Sequence, residues 1–449
     1  MKRRRPLVIM GLAGLVLLPL VGAVKFLHHT EGDLNAVLHD PRYKNDRVEK
    51  LIVMLDGVPY ETIERLRRGG GFRIFKRPSR VIAPFPSMTN VSAAQIWQAE
   101  LPDGYESLYF DRANNALIGG ANTYLRKRAC QAGDYHRMLD YVEPRAFEFA
   151  IYGFPSRVNR ADLRRFFLAY ARSEKPIFRA FLKSTDGLTH IRGESELERA
   201  LVELDALLSH MYQDRGGRLE IIVFSDHGNQ FTRCRRVNLV DHLRRRGFEV
   251  RDRLEGEKAV VIPDFGLVGY AALYTMPASR RRVAEVVAEM DVAIVAYAHG
   301  PDVFVLGGGG VARISYDQQR NSYRYEAVRG DPLDLAKRID QIKREGKMAD
   351  DGHVADQVWF EALASHRYPD ALFRLHQGIN GLVKNRADVL VSFKDGFVQG
   401  SRLFQAYDRL VPVRAIHGGL AAAQSEGFFM STAKEAPPYL RARQVRNYF

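Results

Sequence analysis

The chain has 449 residues, of which 46% are hydrophobic and 27% charged, and this composition excludes disordered, collagen-like and disulfide-scaffold proteins. At about 150 residues per domain, the length predicts two or three structural units. Lys and Arg number 67 against 53 Asp and Glu, a net charge of +14, which favours an anionic partner: nucleic acid, anionic lipid or a phosphorylated substrate.

The N-terminus is predicted to be a targeting segment. Basic residues 2–5 precede an apolar run from Pro6 to Val24, and because no other stretch is apolar enough to span a bilayer, a polytopic membrane protein is excluded. The basic flank favours a cytoplasmic N-terminus and export of everything after Lys25. The small residues at 21–23 are acceptable to signal peptidase. We expect a membrane anchor with the bulk in the periplasm, or a secreted protein if the segment is cleaved, and export argues against nucleic acid.

Further along, strand-like runs alternate with helix-like ones. Three continuous apolar runs are typical of strands buried on both faces: Leu51–Leu55, Ile177–Leu182 and Leu219–Phe224. An amphipathic helix is predicted over Ser195–Met211, with Ser195 and Glu198 forming a capping box at its start. Strand, helix and strand at this spacing predict a parallel sheet with right-handed crossovers. The predicted fold class is α/β, a three-layer sandwich with a mostly parallel central sheet.

The pattern changes between Glu255 and Val328, where a smaller α+β insertion is predicted. It is expected to contain short strands and one helix: Ala259–Ile262, Val303–Leu306, Ala312–Tyr316 and helix Ser279–Met290. Gly307–Gly310 lacks the Lys-Ser/Thr of a phosphate loop and is predicted to be a hairpin turn. Residues 330–365 are predicted to be helical, and Ala387–Phe393 and Leu410–Ile416 to return to the main sheet. The predicted division is a targeting segment at 1–27, a core at 45–254 and 346–449, and an insertion at 255–345.

Three of the predicted strands run into an acid: Asp56, Asp186 and Asp226. Because ligands of open α/β sheets bind beyond the carboxyl ends of the strands, these carboxylates are expected to converge on one crevice. They would repel one another and raise their own pKa values unless cations neutralised them. His190 and His227 favour a metal that takes both N and O ligands, and His417 is expected at an equivalent strand end.

A hydroxyl side chain precedes a predicted helix at Val91–Ala99. Thr89, in the stretch FPSMTN, would lie near the N-terminus of this helix, where free N–H groups and the helix dipole favour an anion. The alternative is that Ser87 or Thr89 only caps the helix.

Five motifs, in chain order between residues 51 and 419, resemble the alkaline phosphatase superfamily and within it the type I phosphodiesterase/nucleotide pyrophosphatase branch: LIVMLDG, FPSMTN, TDGLTH, VFSDHG and IHGG. The resemblance implies one metal held by Asp56, Thr89, Asp226 and His227. It implies a second metal held by Asp186, His190 and His417. Thr89 matches the nucleophile, with Ser87 as the less favoured choice, and Asn114 matches a contact to the phosphoryl group. Residues 101–105 depart from the family's Tyr-Pro-x-x-His-Gly, which weakens the expectation of a nucleotide substrate, and the sulfatase nucleophile pattern is absent.

The function implied by the resemblance is two-metal-dependent hydrolysis of phosphate esters, monoester or diester, through a phospho-threonine intermediate in the cell envelope. Zinc is the expected metal, with manganese as the alternative. Two other functions stay open: a membrane-anchored transferase that passes the phosphoryl group to an envelope lipid or glycan, and a non-catalytic binding protein on the same fold. The expected partners are a phosphorylated small molecule, lipid or glycan and, through the N-terminal segment, the membrane.

Two further features carry alternatives of their own. Cys130 and Cys234 are equally compatible with one disulfide and with two thiols. Basic runs such as Arg244–Arg246 are equally compatible with attraction toward anionic headgroups and with solvated helix faces.

Overall fold

The computed structural model describes residues 33–120, 135–401 and 412–449. Its strands are Lys50–Leu55 (β1), Ser79–Ile82 (β2), Leu108–Asp111 (β3), Ala116–Gly119 (β4), Tyr141–Val142 (β5), Ile177–Leu182 (β6), Glu220–Ser225 (β7), Gln230–Phe231 (β8), Arg235–Arg236 (β9), Glu249–Val250 (β10), Ala259–Val261 (β11), Tyr270–Thr275 (β12), Ile294–His299 (β13), Asp302–Gly307 (β14), Gly310–Asp317 (β15), Ser322–Arg329 (β16), Val354–Ala355 (β17), Val389–Ser392 (β18), Phe397–Val398 (β19), Ala415–Ile416 (β20), Glu426–Ser431 (β21) and Tyr439–Arg441 (β22).

The α-helices are Leu34–Leu38 (α1), Tyr60–Arg68 (α2), Thr89–Trp97 (α3), Arg145–Ala150 (α4), Pro155–Ala171 (α5), Ser184–Arg192 (α6), Glu194–Asp214 (α7), Leu239–Arg245 (α8), Arg280–Ala288 (α9), Ala336–Arg344 (α10), Asp356–Leu363 (α11), Ala371–Asn380 (α12) and Ala422–Ser425 (α13). Short 3₁₀ helices lie at Pro41–Tyr43, Tyr135–Met138, Pro277–Ser279 and Ala442–Tyr448. None of the helices in these three stretches is long and apolar enough to cross a bilayer. The predicted targeting segment lies outside the described residues.

The central sheet has seven strands in the order β22-β2-β21-β7-β1-β6-β5. β1 runs parallel to both β6 and β7, and β21 is antiparallel to its two neighbours. Alternate side chains of β1 enter two different cores, since Leu51 and Val53 pack on the α7 face whereas Ile52 and Met54 pack on the α3 face. Burial on both faces explains the continuous apolar run of β1. The predicted α/β class with a mostly parallel central sheet is confirmed.

Helix α7 covers one face of this sheet, although its start differs from the prediction. The apolar side of this predicted amphipathic helix is buried: Leu197, Leu201, Leu204 and Leu208. The predicted capping box is wrong, because the helix begins at Glu194 and only Gly193 separates it from α6, which places Ser195 inside the first turn. The Glu198 carboxylate instead accepts a hydrogen bond from Arg65 Nε at 2.7 Å.

The second sheet has nine strands in the order β10-β11-β12-β18-β13-β14-β15-β16-β17. Helices α8 and α9 pack on one of its faces, and α11 and α12 pack on the other. Gly308 and Gly309, with φ of +56° and +76°, form the predicted hairpin turn between β14 and β15. Six of the nine strands of this sheet, β11 to β16, lie in the segment predicted as a small insertion, and the predicted domain boundaries stay a prediction. Residues 330–365 include α10 and α11 but are interrupted by β17.

Two predicted returns to the main sheet are wrong. Val389–Ser392 (β18) lies between β12 and β13 in the second sheet, where Val389 and Leu390 face opposite cores. A strand buried on both faces has the same apolar sequence in either sheet. Ala415–Ile416 (β20) pairs with β8 in a two-stranded ribbon outside the main sheet.

A buried arginine ties the two sheets together. Arg441, on edge strand β22, donates to the carboxylates of Asp356 and Asp370, which begin α11 and precede α12. Its guanidinium also lies over the Phe373 ring, 4.0 Å from the ring centroid. Helix α12 is thereby held against the central sheet, beside the loops that form the site.

Candidate metal centre and active site

The three predicted acids converge at one edge of the central sheet. Leu55 at the end of β1 pairs with Leu182 of β6 and with Ser225 of β7, so the three strands end level with one another. Asp56 and Asp226 follow their strands directly, and Asp186 lies in the first turn of α6. The expected crevice at the carboxyl ends of the strands is present.

The six carboxylate and imidazole side chains form two adjoining groups of donor atoms. Within each group the donor atoms lie within 4.8 Å of one another, and the members are Asp56, Asp226 and His227 in one group and Asp186, His190 and His417 in the other. Asp186 and His190 are one helical turn apart on α6, with His190 Nε2 at 3.1 Å from Asp186 Oδ2. The rings of His227 and His417 stack with centroids 4.1 Å apart, so the two groups share a boundary. Their division is the one that the resemblance implied.

Backbone carbonyl groups fix the orientation of all three imidazole rings. Each Nδ1 lies within hydrogen-bond distance of a carbonyl oxygen: His190 of Ala415 O at 2.6 Å, His227 of Gly228 O at 2.9 Å and His417 of Ser87 O at 2.9 Å. Since a carbonyl can only accept, each Nδ1 donates a proton to its carbonyl, and Nε2 is the nitrogen that faces the donor group. Histidines that bind metals are held in this way.

One carboxylate oxygen in the site has a cationic neighbour, since His227 Nε2 lies 3.4 Å from Asp226 Oδ2, but no hydrogen bond within the described residues. Asp226 Oδ1 accepts from the backbone N–H groups of Gly57 and His227, both at 3.0 Å. Asp226 Oδ2 is buried and has no hydrogen-bond partner in the described part of the chain. Because a buried carboxylate oxygen without a hydrogen bond is costly, this oxygen fits coordination of a cation. The donor set therefore suits a divalent metal at each group.

Burial and mutual charge displace the pKa values of the site residues. Burial raises the pKa of Asp56 and raises that of Asp226 to about 7. Burial alone would lower the pKa of His227, but the Asp226 and Asp56 carboxylates raise it to about 10. Burial and the His227 charge lower the pKa of His417 to about 3. Without a bound cation, protons shared among these coupled groups must neutralise part of the negative charge of the carboxylates.

Thr89 lies beside the donor group formed by Asp56, Asp226 and His227. Its Oγ1 donates to Asp56 Oδ1 at 3.1 Å and lies 3.2 Å from His227 Nε2. Thr89 is the first residue of α3, so this helix begins two residues before the predicted start. The Ser87 hydroxyl is fully buried and is occupied by Pro84 O, Gly419 O and the Arg374 guanidinium. Of the two hydroxyl groups, only that of Thr89 meets the candidate ligands.

Two residues that were not predicted connect the donor groups. Asn229 Nδ2 donates to Gly57 O and to Asp186 Oδ1, both at 2.8 Å. Gly57 has φ of +65°, and a Cβ atom there would lie 2.4 Å from Asp186 Oδ1. Glycine at this position is therefore required for the close approach of Asp186. The signal for Asn229 was its place directly after Asp-His-Gly.

The donor groups open into a cavity of about 270 Å³. Its walls also include Tyr105, Glu106, Lys183 and Phe265, none of which was predicted, and Lys183 Nζ contacts Glu148 Oε1 at 2.9 Å.

Asn114 does not line this cavity. It lies exposed in the turn between β3 and β4, where its amide donates to Asp111 Oδ2 at 2.7 Å. Because Asp111 is part of the same turn, this hydrogen bond holds Asn114 in the hairpin, and its predicted contact to a phosphoryl group gains no support. Cys130 lies outside the described residues, so the alternatives for the two cysteines stay open.

The comparisons with known proteins show a similarity of fold and no similarity of sequence family. No model of a known protein family matches the chain, and no curated protein matches it in sequence. Phosphonoacetate hydrolase from Sinorhizobium meliloti, in complex with phosphonoformate, is similar at a TM-score of 0.48 and 13% identity over 90% of this chain and 95% of that one. Human ectonucleotide pyrophosphatase/phosphodiesterase 5 is similar at 0.46 and 11% over 89% and 93%, and the murine protein at 0.44 and 12% over the same shares. At sequence identities this low, the chemistry of the site must be inferred from the side chains of this chain.

Proposed function

We propose that the chain is a two-metal-dependent hydrolase of phosphate esters in which Thr89 is the nucleophile. One observation carries this proposal: the Thr89 hydroxyl lies in hydrogen-bond contact with a carboxylate and an imidazole of one donor group, beside a second donor group of the same kind. A two-metal phosphoryl hydrolase with a covalent intermediate uses these components, a nucleophile and two cations that stabilise the attacking and leaving oxygens.

The proposed metals are zinc or manganese, because each donor group mixes carboxylates with imidazole. Asp56, Asp226 and His227 would hold one, with Thr89 as a further ligand, and Asp186, His190 and His417 would hold the other. Bound divalent cations would lower the pKa of the Thr89 hydroxyl and neutralise charge on the transferring phosphoryl group.

The chain's own residues set the geometry of both half-reactions. Asp56 orients the Thr89 Oγ–H bond, and the free N–H groups in the first turn of α3 favour negative charge beside Thr89. Thr89 Oγ forms a bond to phosphorus as the ester oxygen leaves and takes up a proton. Water then cleaves the phospho-threonine, which releases phosphate or a phosphomonoester and restores the hydroxyl.

The proposed place of action is the cell envelope. The apolar run from Pro6 to Val24, with its basic flank at residues 2–5, supports an anchor or a signal peptide. The proposed substrate is a phosphorylated small molecule, lipid or glycan.

A substrate panel with two variants tests the proposal. Phosphomonoester, phosphodiester and sulfate esters of 4-nitrophenol are offered to the wild type, Thr89→Ala and Thr89→Ser. We expect Thr89→Ala to stay folded and to lose at least about a thousandfold in kcat, as variants that lack a nucleophile do. Thr89→Ser, which keeps a hydroxyl, should retain measurable turnover. Wild-type rates in Thr89→Ala, or activity that survives prolonged chelation, would contradict the proposal.

A further inference from the structure

A second cavity adjoins the candidate active site. It has a volume of about 640 Å³, and Val413 lines both this cavity and the first one. Three arginines line its wall, and we name this cavity, defined by Arg192, Arg233 and Arg414, the arginine groove. Arg192 is the last residue of α6, the helix that carries Asp186 and His190. The groove is therefore separated from the metal centre by a single wall that includes Val413.

Backbone hydrogen bonds hold the three arginine-bearing segments together. The Arg414 N–H donates to His190 O at 2.8 Å, and the Thr232 N–H donates to Arg414 O at 3.1 Å. The Arg414 side chain passes over Gly193, where a Cβ atom would lie 3.5 Å from Arg414 Cδ. The cluster is thus a consequence of how α6, β8 and β20 meet.

Among the described residues, no acidic side chain neutralises the arginines of the groove. All three arginine residues are exposed, and none of their guanidinium groups makes a hydrogen bond or an ion pair with another residue of the described chain. Glu194 also lines the groove, but its carboxylate accepts from Arg65 at 2.5 Å and is neutralised there. Guanidinium groups present planar pairs of donors that match phosphate and carboxylate oxygens.

We propose that the arginine groove binds a second anionic group of the substrate, a phosphate or a carboxylate separated from the phosphoryl group that reacts. The inference rests on the proposed function, because it assigns the remote part of the same substrate. It narrows the substrate class to phosphate esters whose remainder is itself anionic. A phosphorylated glycan and an anionic lipid headgroup both carry this chemistry.

The test measures binding rather than turnover. Two 4-nitrophenyl phosphodiesters, with butyl or 4-carboxybutyl as the second ester group, are titrated calorimetrically into metal-loaded Thr89→Ala chain. We expect the carboxylate ester to bind about tenfold more tightly, the factor for one charge-assisted hydrogen bond. Adding Arg192→Gln and Arg233→Gln should bring the ratio of the two dissociation constants close to one. Adding Arg282→Gln, which removes the same charge from the exposed face of α9, should leave the ratio unchanged.

Either of two results overturns the inference: equal affinity for both esters in the starting chain, or an unchanged ratio after both groove arginines are replaced. Two further ligands, the carboxylate ester with an added acyl chain and the same ester with an added sugar, distinguish a lipid from a glycan substrate by which of them binds more tightly. Failure of the wild type to hydrolyse these two esters and every phosphate ester of the substrate panel would refute the proposed function, while the binding ratio is read independently of hydrolysis.

Discussion

Replacing Gly57 by alanine tests whether the turn after β1 positions the metal centre. The added methyl group would lie 2.4 Å from Asp186 Oδ1 and 2.5 Å from Asn229 Nδ2. Both atoms belong to the link between the two donor groups, and neither lies on a flexible surface chain. The substitution therefore pushes directly on a proposed ligand.

The size of the effect follows from these distances. Ordinary contact begins near 3.4 Å, so Asp186 must retreat by about 1 Å. A misplacement of this size lowers turnover by about a hundredfold, and disturbing the support of a ligand lowers metal affinity by about ten- to a hundredfold. The backbone at φ of +65° adds roughly 1 kcal/mol of strain for a residue with a side chain.

Gly216 offers a matched control for the strain. Its φ is +57°, and a methyl group added there would have no neighbour within 4 Å, so Gly216→Ala carries the backbone strain alone. We expect Gly216→Ala to match the wild type in kcat and metal content and to lose only the roughly 1 kcal/mol of backbone strain. Gly57→Ala should fall in kcat and metal content and should lose more stability, because the clash with Asp186 adds to the strain. Phosphodiesterase kinetics, metal analysis and thermal denaturation measure these quantities. Equal kcat and metal content in the two variants would refute the claim that Gly57 makes room for Asp186.

Two further substitutions probe buried charge near the site. Burial raises the pKa of Glu106 from 4.5 to about 7, so the folded chain loses stability as the pH rises through this interval, and at pH 8 the loss is about 3 kcal/mol. The unfolding free energy of Glu106→Gln, measured by denaturant titration with chelator, should therefore exceed that of the wild type by about this amount at pH 8 and equal it at pH 4. A difference in unfolding free energy that does not vary with pH would contradict the raised pKa of Glu106. Arg374→Met removes the guanidinium that donates to Pro369 O, Leu420 O and Ser87 Oγ. It should lower the unfolding free energy by about 3 kcal/mol or more, because these buried acceptors lose their donor. An unchanged denaturation midpoint would show that these hydrogen bonds do not stabilise the fold.

The central strands and the acids behind them could be predicted because they follow from local rules. A strand buried on both faces must be continuously apolar, and β1, β6 and β7 lie within a residue of their predicted bounds. Once these strands are parallel, the residues that follow them must share one edge, which brings Asp56, Asp186 and Asp226 together.

The features that could not be predicted depend on contacts between segments that are remote in sequence. An apolar strand such as β18 does not encode which of two sheets it joins. His417 reaches the site from the β20 ribbon, and its ring is held by the Ser87 carbonyl, 330 residues away. The arginine groove is likewise assembled from three separate segments, so the overall charge of +14 indicated an anionic partner without locating its site.

The metal content of the full chain tests the central claim most directly. After purification and exposure to zinc or manganese, we predict two divalent ions per chain by mass spectrometry. His190→Ala should lower the content toward one, because it removes a donor from only one of the two groups. A wild-type chain that binds no divalent ion, or a content unchanged by His190→Ala, would contradict the two-metal centre.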